Sequence, residues 1–136
     1  MASVMIVDDS VMMRSMIAEI VMADPDFDVV DRAGNGCEAL DKIRHQDCDI
    51  VLLDIEMPRM NGLEALKRLR LISKAKVIVV SSSAQAGSRT ALEARREGAF
   101  AVIPKPSGTV SMDLRAKRGH EIVQACRKAV GLPGHA

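Results

Sequence analysis

The sequence predicts an α/β protein: a doubly wound, five-stranded sheet, open and mostly parallel, with helices on both faces. Two observations predict it. Short β-branched apolar runs recur five times, at Val4–Val7, Val29–Val30, Ile50–Leu53, Val77–Val80 and Phe100–Ile103. Between and after them, apolar residues return at helical spacing. Continuous apolar runs suit strands covered on both sides, and strand–helix alternation suits parallel connections.

The first run, Val4–Val7, ends in Asp8-Asp9. Met13, Met16, Ile17, Ile20 and Val21 then make one helical stripe. The second run is the most polar, which suits a strand at the sheet edge. Asn35-Gly-Cys-Glu38 and Asn61-Gly-Leu-Glu64 are two helix starts, each an N-cap with Glu at N3. Each Asn is expected to accept an early N–H, and each Glu to answer it. Ala39, Leu40 and Ile43 follow the first start; Leu63, Leu66, Leu69 and Ile72 follow the second. The third strand, Ile50–Leu53, runs into Asp54, and the fourth into Ser81-Ser82-Ser83. Ala91, Leu92 and Ala94 mark a less apolar helix, which Gly98 stops. The fifth strand leads to Pro104-Lys105-Pro106. Ile122, Val123, Cys126 and Val130 mark the last helix.

A chain of 136 residues is one domain's worth. Residues 1–130 are read as that domain, and 131–136 as a tail or the start of an interdomain linker. A net charge of +1 gives no global field for nucleic acid, and Phe27 and Phe100 are the sole aromatics, so stacking platforms are missing. Arg115, Lys117, Arg118, Arg127 and Lys128 read as the solvated face of the last helix. Cys37, Cys48 and Cys126 lack C-x-x-C spacing and read as small buried hydrophobes in a reducing cytoplasm. The N-terminus reaches acids too early for a signal peptide, and no run of 18 apolar residues occurs. The expectation is a cytoplasmic protein with no nucleic-acid partner and no membrane insertion.

Ligands of open α/β sheets gather at the carboxyl ends of the strands. There the sequence places Asp8, Asp9, Asp54, Ser81–Ser83 and Lys105. Three carboxylates in one cleft repel, and a hard divalent cation such as Mg²⁺ relieves that cost. Its ligands are Asp8 or Asp9, Asp54, and a backbone carbonyl just after Asp54. Lys105, held between two prolines, is placed to neutralise charge or to meet a phosphoryl oxygen. The set describes phosphoryl transfer with Asp54 as nucleophile. Taken singly, Asp8 or Asp9 is a helix cap, a serine a turn residue and a lysine a solvated charge; arrival from four strand ends lifts the set. Met57 and Met60 read as packing residues. His45, His120 and His135 stand apart. No G-x-x-x-x-G-K-[ST] loop is present, so the donor comes from outside, and no G-x-S-x-G elbow is present.

Four segments, Val4–Ser10, Ile50–Gly62, Val77–Ser83 and Val102–Gly108, resemble the receiver domain of bacterial two-component response regulators. That resemblance implies a flavodoxin-like strand order 2-1-3-4-5. It implies Asp54 as the phosphoacceptor, Asp9 as the main side-chain Mg²⁺ ligand, Asp8 acting beside it, and the Glu56 backbone carbonyl as a further ligand. Lys105 is the implied phosphoryl contact. Ser81 fits the switch hydroxyl, with Ser82 a weaker rival. Glu56, Met57 and Arg59 are placed to influence hydrolytic water.

The stretches LLDIEMPRMNGLEAL, VSSSAQAGSRTALEARREGA and PKPSGTVSMDL are more closely similar to the regulatory domain of the CheB group of chemotaxis protein-glutamate methylesterases. This implies a CheA-like histidine kinase as donor, and a C-terminal methylesterase domain acting on chemoreceptors that these residues do not include. An excised regulatory domain is favoured over a standalone regulator. One departure is Val102, where receivers often carry Tyr or Phe; Phe100 is expected to share its face by strand alternation. Switching then rests on Ser81, the 82–89 loop and the fourth helix, with Arg89, Arg95 and Arg96 as candidate output contacts. A Mg²⁺-dependent phosphatase, with Glu56 as acid, and an interaction domain that no longer phosphorylates are the other readings.

Overall fold

A computed structural model describes residues 1–57, 60–82, 87–105 and 112–134, with the backbone alone for 112–115. Arg59, Ser83, Pro106, His135 and the side chain of Arg115, all named above, lie outside the described residues. The order is β1 (Ala2–Val7), α1 (Val11–Met22), β2 (Phe27–Ala33), α2 (Gly36–His45), β3 (Ile50–Leu53), α3 (Gly62–Ile72), β4 (Lys76–Ser81), α4 (Arg89–Arg96), β5 (Ala101–Pro104) and α5 (Met112–Ala129). The strands form one parallel sheet in the order β2-β1-β3-β4-β5. The polar second strand is at an edge, as expected.

Alternation divides the core between two faces. Val4, Ile6, Ile50, Leu52, Ile78 and Val80 pack with Ile17 and Val21 of α1 and Ile122 and Cys126 of α5. Met5, Val7, Val51, Leu53, Val77 and Val79 pack with α2, α3 and α4 through Leu40, Ile43, Leu66, Leu69 and Ala94. The β1–β2 register shifts between Val4 and Met5: Val4 pairs with Val29, but Met5 with Asp31. The extra residue lets Phe27 face α1 and α5 while Ala33 faces the other way.

Several side chains depart from the expected pattern. Ile72 is 44% exposed. Steps of three fall about 60° short of a full turn, so by Ile72 the stripe has rotated off the core; Gly62 and Ala65 take up the buried face instead. Leu92 is exposed because it lies about 100° around the helix from buried Ala91, away from Ala94. Cys37 is exposed, whereas Cys48 and Cys126 are buried and burial pushes both thiols up to about 12. Phe100 does not share the face of Val102. It packs toward α1 and α5 and Val102 toward the opposite core, because β5 starts at Ala101 and alternation does not reach back to Phe100.

Both Asn caps form: Asn35 accepts the Glu38 N–H at 2.9 Å and Asn61 the Glu64 N–H at 3.0 Å. The glutamates answer differently from expectation. Glu38 takes the Gly34 N–H at 3.3 Å, and Glu64 pairs with Arg68 at 3.0 Å. Gly98 has φ +102° just past α4, the left-handed stop expected of it. Arg127 is not a solvated charge. It is buried and pairs with Asp24 at 2.9 Å and Asp26 at 2.8 Å, and its Nε donates to the Pro133 carbonyl at 2.6 Å. It thereby ties α5 and the following turn to the α1–β2 connection. No helix among the described residues is long and apolar enough to cross a membrane.

Candidate functional site

The ladder of backbone bonds continues past the strand ends and aligns the site. Asp8 N–H donates to Ala33 O at 3.0 Å, Asp54 N–H to Val7 O at 2.9 Å, and Lys105 N–H to Ser81 O at 3.3 Å. Asp8, Asp54 and Lys105 are thus lined up across neighbouring strands, with Ser81 between the last two.

Asp8 and Asp54 are almost fully buried, and Asp9 is exposed at the rim. One carboxylate oxygen from each of the three lies within 4.8 Å of the others. Asp8 Oδ1 accepts the Ser10 N–H at 2.9 Å, so the residue shapes its own turn and turns Oδ2 inward. Neither aspartate caps α1. Ser10 does, accepting the Met13 N–H at 3.2 Å. Asp54 Oδ1 accepts the Glu56 N–H at 3.3 Å.

Lys105 Nζ reaches both buried acids, at 3.0 Å from Asp8 Oδ2 and 3.2 Å from Asp54 Oδ2. The first approach is an ion pair without a directional hydrogen bond, which leaves Asp8 Oδ2 as a buried oxygen with no hydrogen-bond donor. Burial pushes the Asp54 carboxyl above the usual carboxylate range; Lys105 opposes this and the Asp8 charge adds to it. Burial pulls the Lys105 ammonium down, but the close approach of the Asp8 carboxylate and the charges of Asp54 and Asp8 outweigh it and raise it overall. Lys105 therefore stays charged at neutral pH.

This donor set fits a hard divalent cation. It offers oxygens alone, two of three carboxylates are removed from water, and one oxygen lacks a donor. The cysteines are elsewhere in the fold: buried Cys48 and Cys126 lie in the two core clusters, and Cys37 is on α2.

Within the Ser81–Ser83 run, Ser81 is fully buried at the end of β4 and Ser82 is exposed. Ser82 Oγ stands 3.5 Å from Glu56 Oε2, so Glu56 points its carboxylate toward that loop. Met57 and Met60 pack against the α2–α3–α4 core. His45 closes α2 through its own Asp41 carbonyl, and His120 faces Gln124 on α5. Neither joins the carboxylates.

Gly62 escaped the sequence reading except as part of an Asn-Gly helix start. A Cβ there would stand 2.2 Å from the Asp54 carbonyl oxygen and 2.4 Å from Ile55 Cα. Its N–H donates to Ile55 O at 2.8 Å. The start of α3 therefore lies directly on the backbone that carries Asp54. The glycine following Asn61 was the available signal.

The family model described as "Response regulator receiver domain" matches residues 4–117. A protein-glutamate methylesterase/protein-glutamine glutaminase 1 of Syntrophomonas wolfei is 44% identical over 111 residues, 82% of this chain and 32% of that protein. The corresponding Thermotoga maritima protein is 38% identical over 129 residues, covering 95% of this chain and 37% of its own. The chain thus spans about a third of the length of these curated relatives. The crystal structure of the response regulator domain of Thermotoga maritima CheB matches with a TM-score of 0.87 at 37% identity, covering 97% of this chain and 98% of that one. The crystal structure of the P1 domain of CheA3 in complex with CheY6 from R. sphaeroides matches with a TM-score of 0.80 at 46% identity, over 96% and 97% of the two chains. The parallel sheet, the acidic cluster at its carboxyl end and the family match over residues 4–117 lead to one conclusion: the chain belongs to the response regulator receiver domain family.

Proposed function

We propose that this chain is a phosphoacceptor switch that takes a phosphoryl group from a histidine kinase onto Asp54. One observation carries the reading: Lys105 Nζ stands between the buried carboxylates of Asp8 and Asp54, at 3.0 and 3.2 Å. A carboxylate oxygen of Asp54 attacks phosphorus. The bond from phosphorus to the donor's imidazole nitrogen breaks, and its electron pair returns to the ring. Lys105 follows the negative oxygens, and Asp54 becomes a mixed anhydride. Asp8, Asp9, Asp54 and the Glu56 carbonyl would hold a divalent cation such as Mg²⁺, which would supply positive charge to offset that of the phosphoryl oxygens.

The new phosphoryl oxygens are acceptors for Ser81, whose inward turn would draw its loop and α4 with it. Phosphorylation of Asp54 is thereby coupled to the face made by α4, β5 and α5. We read residues 1–130 as the switch and 131–136 as a tail or linker start. The methylesterase names of the relatives support an output domain outside this chain that acts on protein glutamate side chains, with chemoreceptors as the target implied by the CheB resemblance. The CheA3–CheY6 complex supports a CheA-like donor; a standalone regulator is the second reading.

Intact mass after incubation with Mg²⁺ and acetyl phosphate tests the chemistry, with Asp54→Ala as control. The expected result is a Mg²⁺-dependent gain of one phosphoryl group that the variant lacks. No gain from either acetyl phosphate or a phosphorylated histidine kinase, with the protein folded, would sink the reading.

A further inference from the structure

We infer that Arg14 is a positioning residue for the acidic turn, holding Asp8 and Asp9 in the arrangement that receives the cation; this rests on the phosphoacceptor reading above. Arg14 lies one turn into α1, its own N–H on the Ser10 carbonyl at 2.9 Å. Its side chain folds back, and Nη1 donates to the Asp8 backbone carbonyl at 2.5 Å. That oxygen belongs to the peptide bond joining Asp8 to Asp9. Gripping it fixes the rotation of that peptide and hence the directions of both side chains. The Asp8 carboxylate is already tied to the Ser10 N–H, so the turn is held from both sides.

The other side of Arg14 is walled by charges from α2. The guanidinium lies 3.4 Å from where a Cβ on Gly34 would stand, so the glycine leaves its room. Glu38 takes the Gly34 N–H at 3.3 Å and Lys42 at 3.1 Å, and Lys42 also reaches Asp31 at 3.2 Å. The Lys42 hydrogen bond, then the Gly34 N–H, and to a smaller extent the Arg14 charge hold the Glu38 carboxyl below its usual range. The Glu38 carboxylate and the Arg14 guanidinium both border the space left by Gly34, while the carboxylate's own ion pair is with Lys42. A lysine at this position would keep the charge but not the planar fork that reaches a fixed carbonyl.

Charge and position predict opposite outcomes. A cation beside an acidic cluster competes with the incoming metal, so if Arg14 acted by charge alone its removal would tighten metal binding. If it positions the turn, removal weakens binding.

The test is calorimetric Mg²⁺ binding without a phosphodonor, for the wild type, Arg14→Gln and Arg14→Lys, with Asp9→Asn as reference. Amide exchange at Ser10 is followed in the metal-free proteins. Arg14→Gln is expected to weaken Mg²⁺ binding about tenfold, the scale of a lost orienting partner, and to strip protection from the Ser10 N–H. Arg14→Lys should fall between. Unchanged or tighter Mg²⁺ binding in Arg14→Gln, with wild-type circular dichroism and Tm, would overturn the inference. If Arg14→Gln does not fold, Arg14→Lys decides by the same two readouts. If the wild type itself binds no Mg²⁺, the phosphoacceptor reading has failed, and Ser10 exchange still decides whether Arg14 holds the turn.

Discussion

Lys105 Nζ sits 3.2 Å from Asp54 Oδ2, although 51 positions separate the two residues. The parallel β3–β4 and β4–β5 pairings bring them together, with Leu53 opposite Val79 and Val79 opposite Val102. A cation delivered by the sheet rather than by a neighbouring residue is rigidly placed.

Removal of that cation should be felt most when no metal replaces it. Lys105→Met leaves Asp8 and Asp54 buried and uncompensated. The expected loss in metal-free buffer is about 1–3 kcal/mol by urea unfolding, in part recovered with Mg²⁺. An equal loss with and without Mg²⁺ would mean that Lys105 contributes packing alone.

The raised Asp54 carboxyl sets a pH dependence. A carboxyl raised by burial binds its proton more tightly in the folded chain than in the unfolded one. The stability this contributes is complete below the unfolded value and is lost as pH rises through the folded value. Metal-free wild type should therefore fall behind Asp54→Asn in Tm as pH climbs from about 4 to about 7. Parallel Tm curves would show that burial does not dominate at Asp54.

Gly62 ties stability to the acceptor loop. Gly62→Ala pushes a methyl group into the Asp54 and Ile55 backbone, which must shift. We expect a loss of about 1–3 kcal/mol by denaturant unfolding and slower phosphoryl gain. Normal unfolding together with normal phosphorylation would show that the helix start moves aside freely.

Ser81 and Ser82 separate switching from acceptance. Ser81→Ala should still gain the phosphoryl group by mass, yet lose most of the amide shift changes in α4 and β5 that phosphorylation brings. Ser82→Ala should retain them. The reverse pattern would move the role to the exposed serine.

The fold and most of the site were legible in the sequence because buried strands and their terminal residues are local features. Ile50–Leu53 is four apolar residues in a row, and Asp54 ends them whatever surrounds it. Arg127 was not legible. A basic residue on an amphipathic helix reads as solvated, and its partners, Asp24 and Asp26, lie about a hundred positions away. Phe100 was misplaced for a similar reason: alternation holds only within a strand, and β5 begins one residue later than its apolar run.

By itself the sequence determined the strands, the helix caps at Asn35 and Asn61 and the set of residues at the carboxyl ends, because each follows from side-chain periodicity or from a few neighbouring groups. Tertiary structure alone decided how those residues face one another. It buried Asp8 and Asp54 while leaving Asp9 at the rim, set Lys105 between two carboxylates, pressed Gly62 onto the Asp54 backbone and closed Arg14 over the Asp8 carbonyl. These relations depend on strand register and on the packing of helices against the sheet, and both are settled only when distant parts of the chain exclude water from the same space.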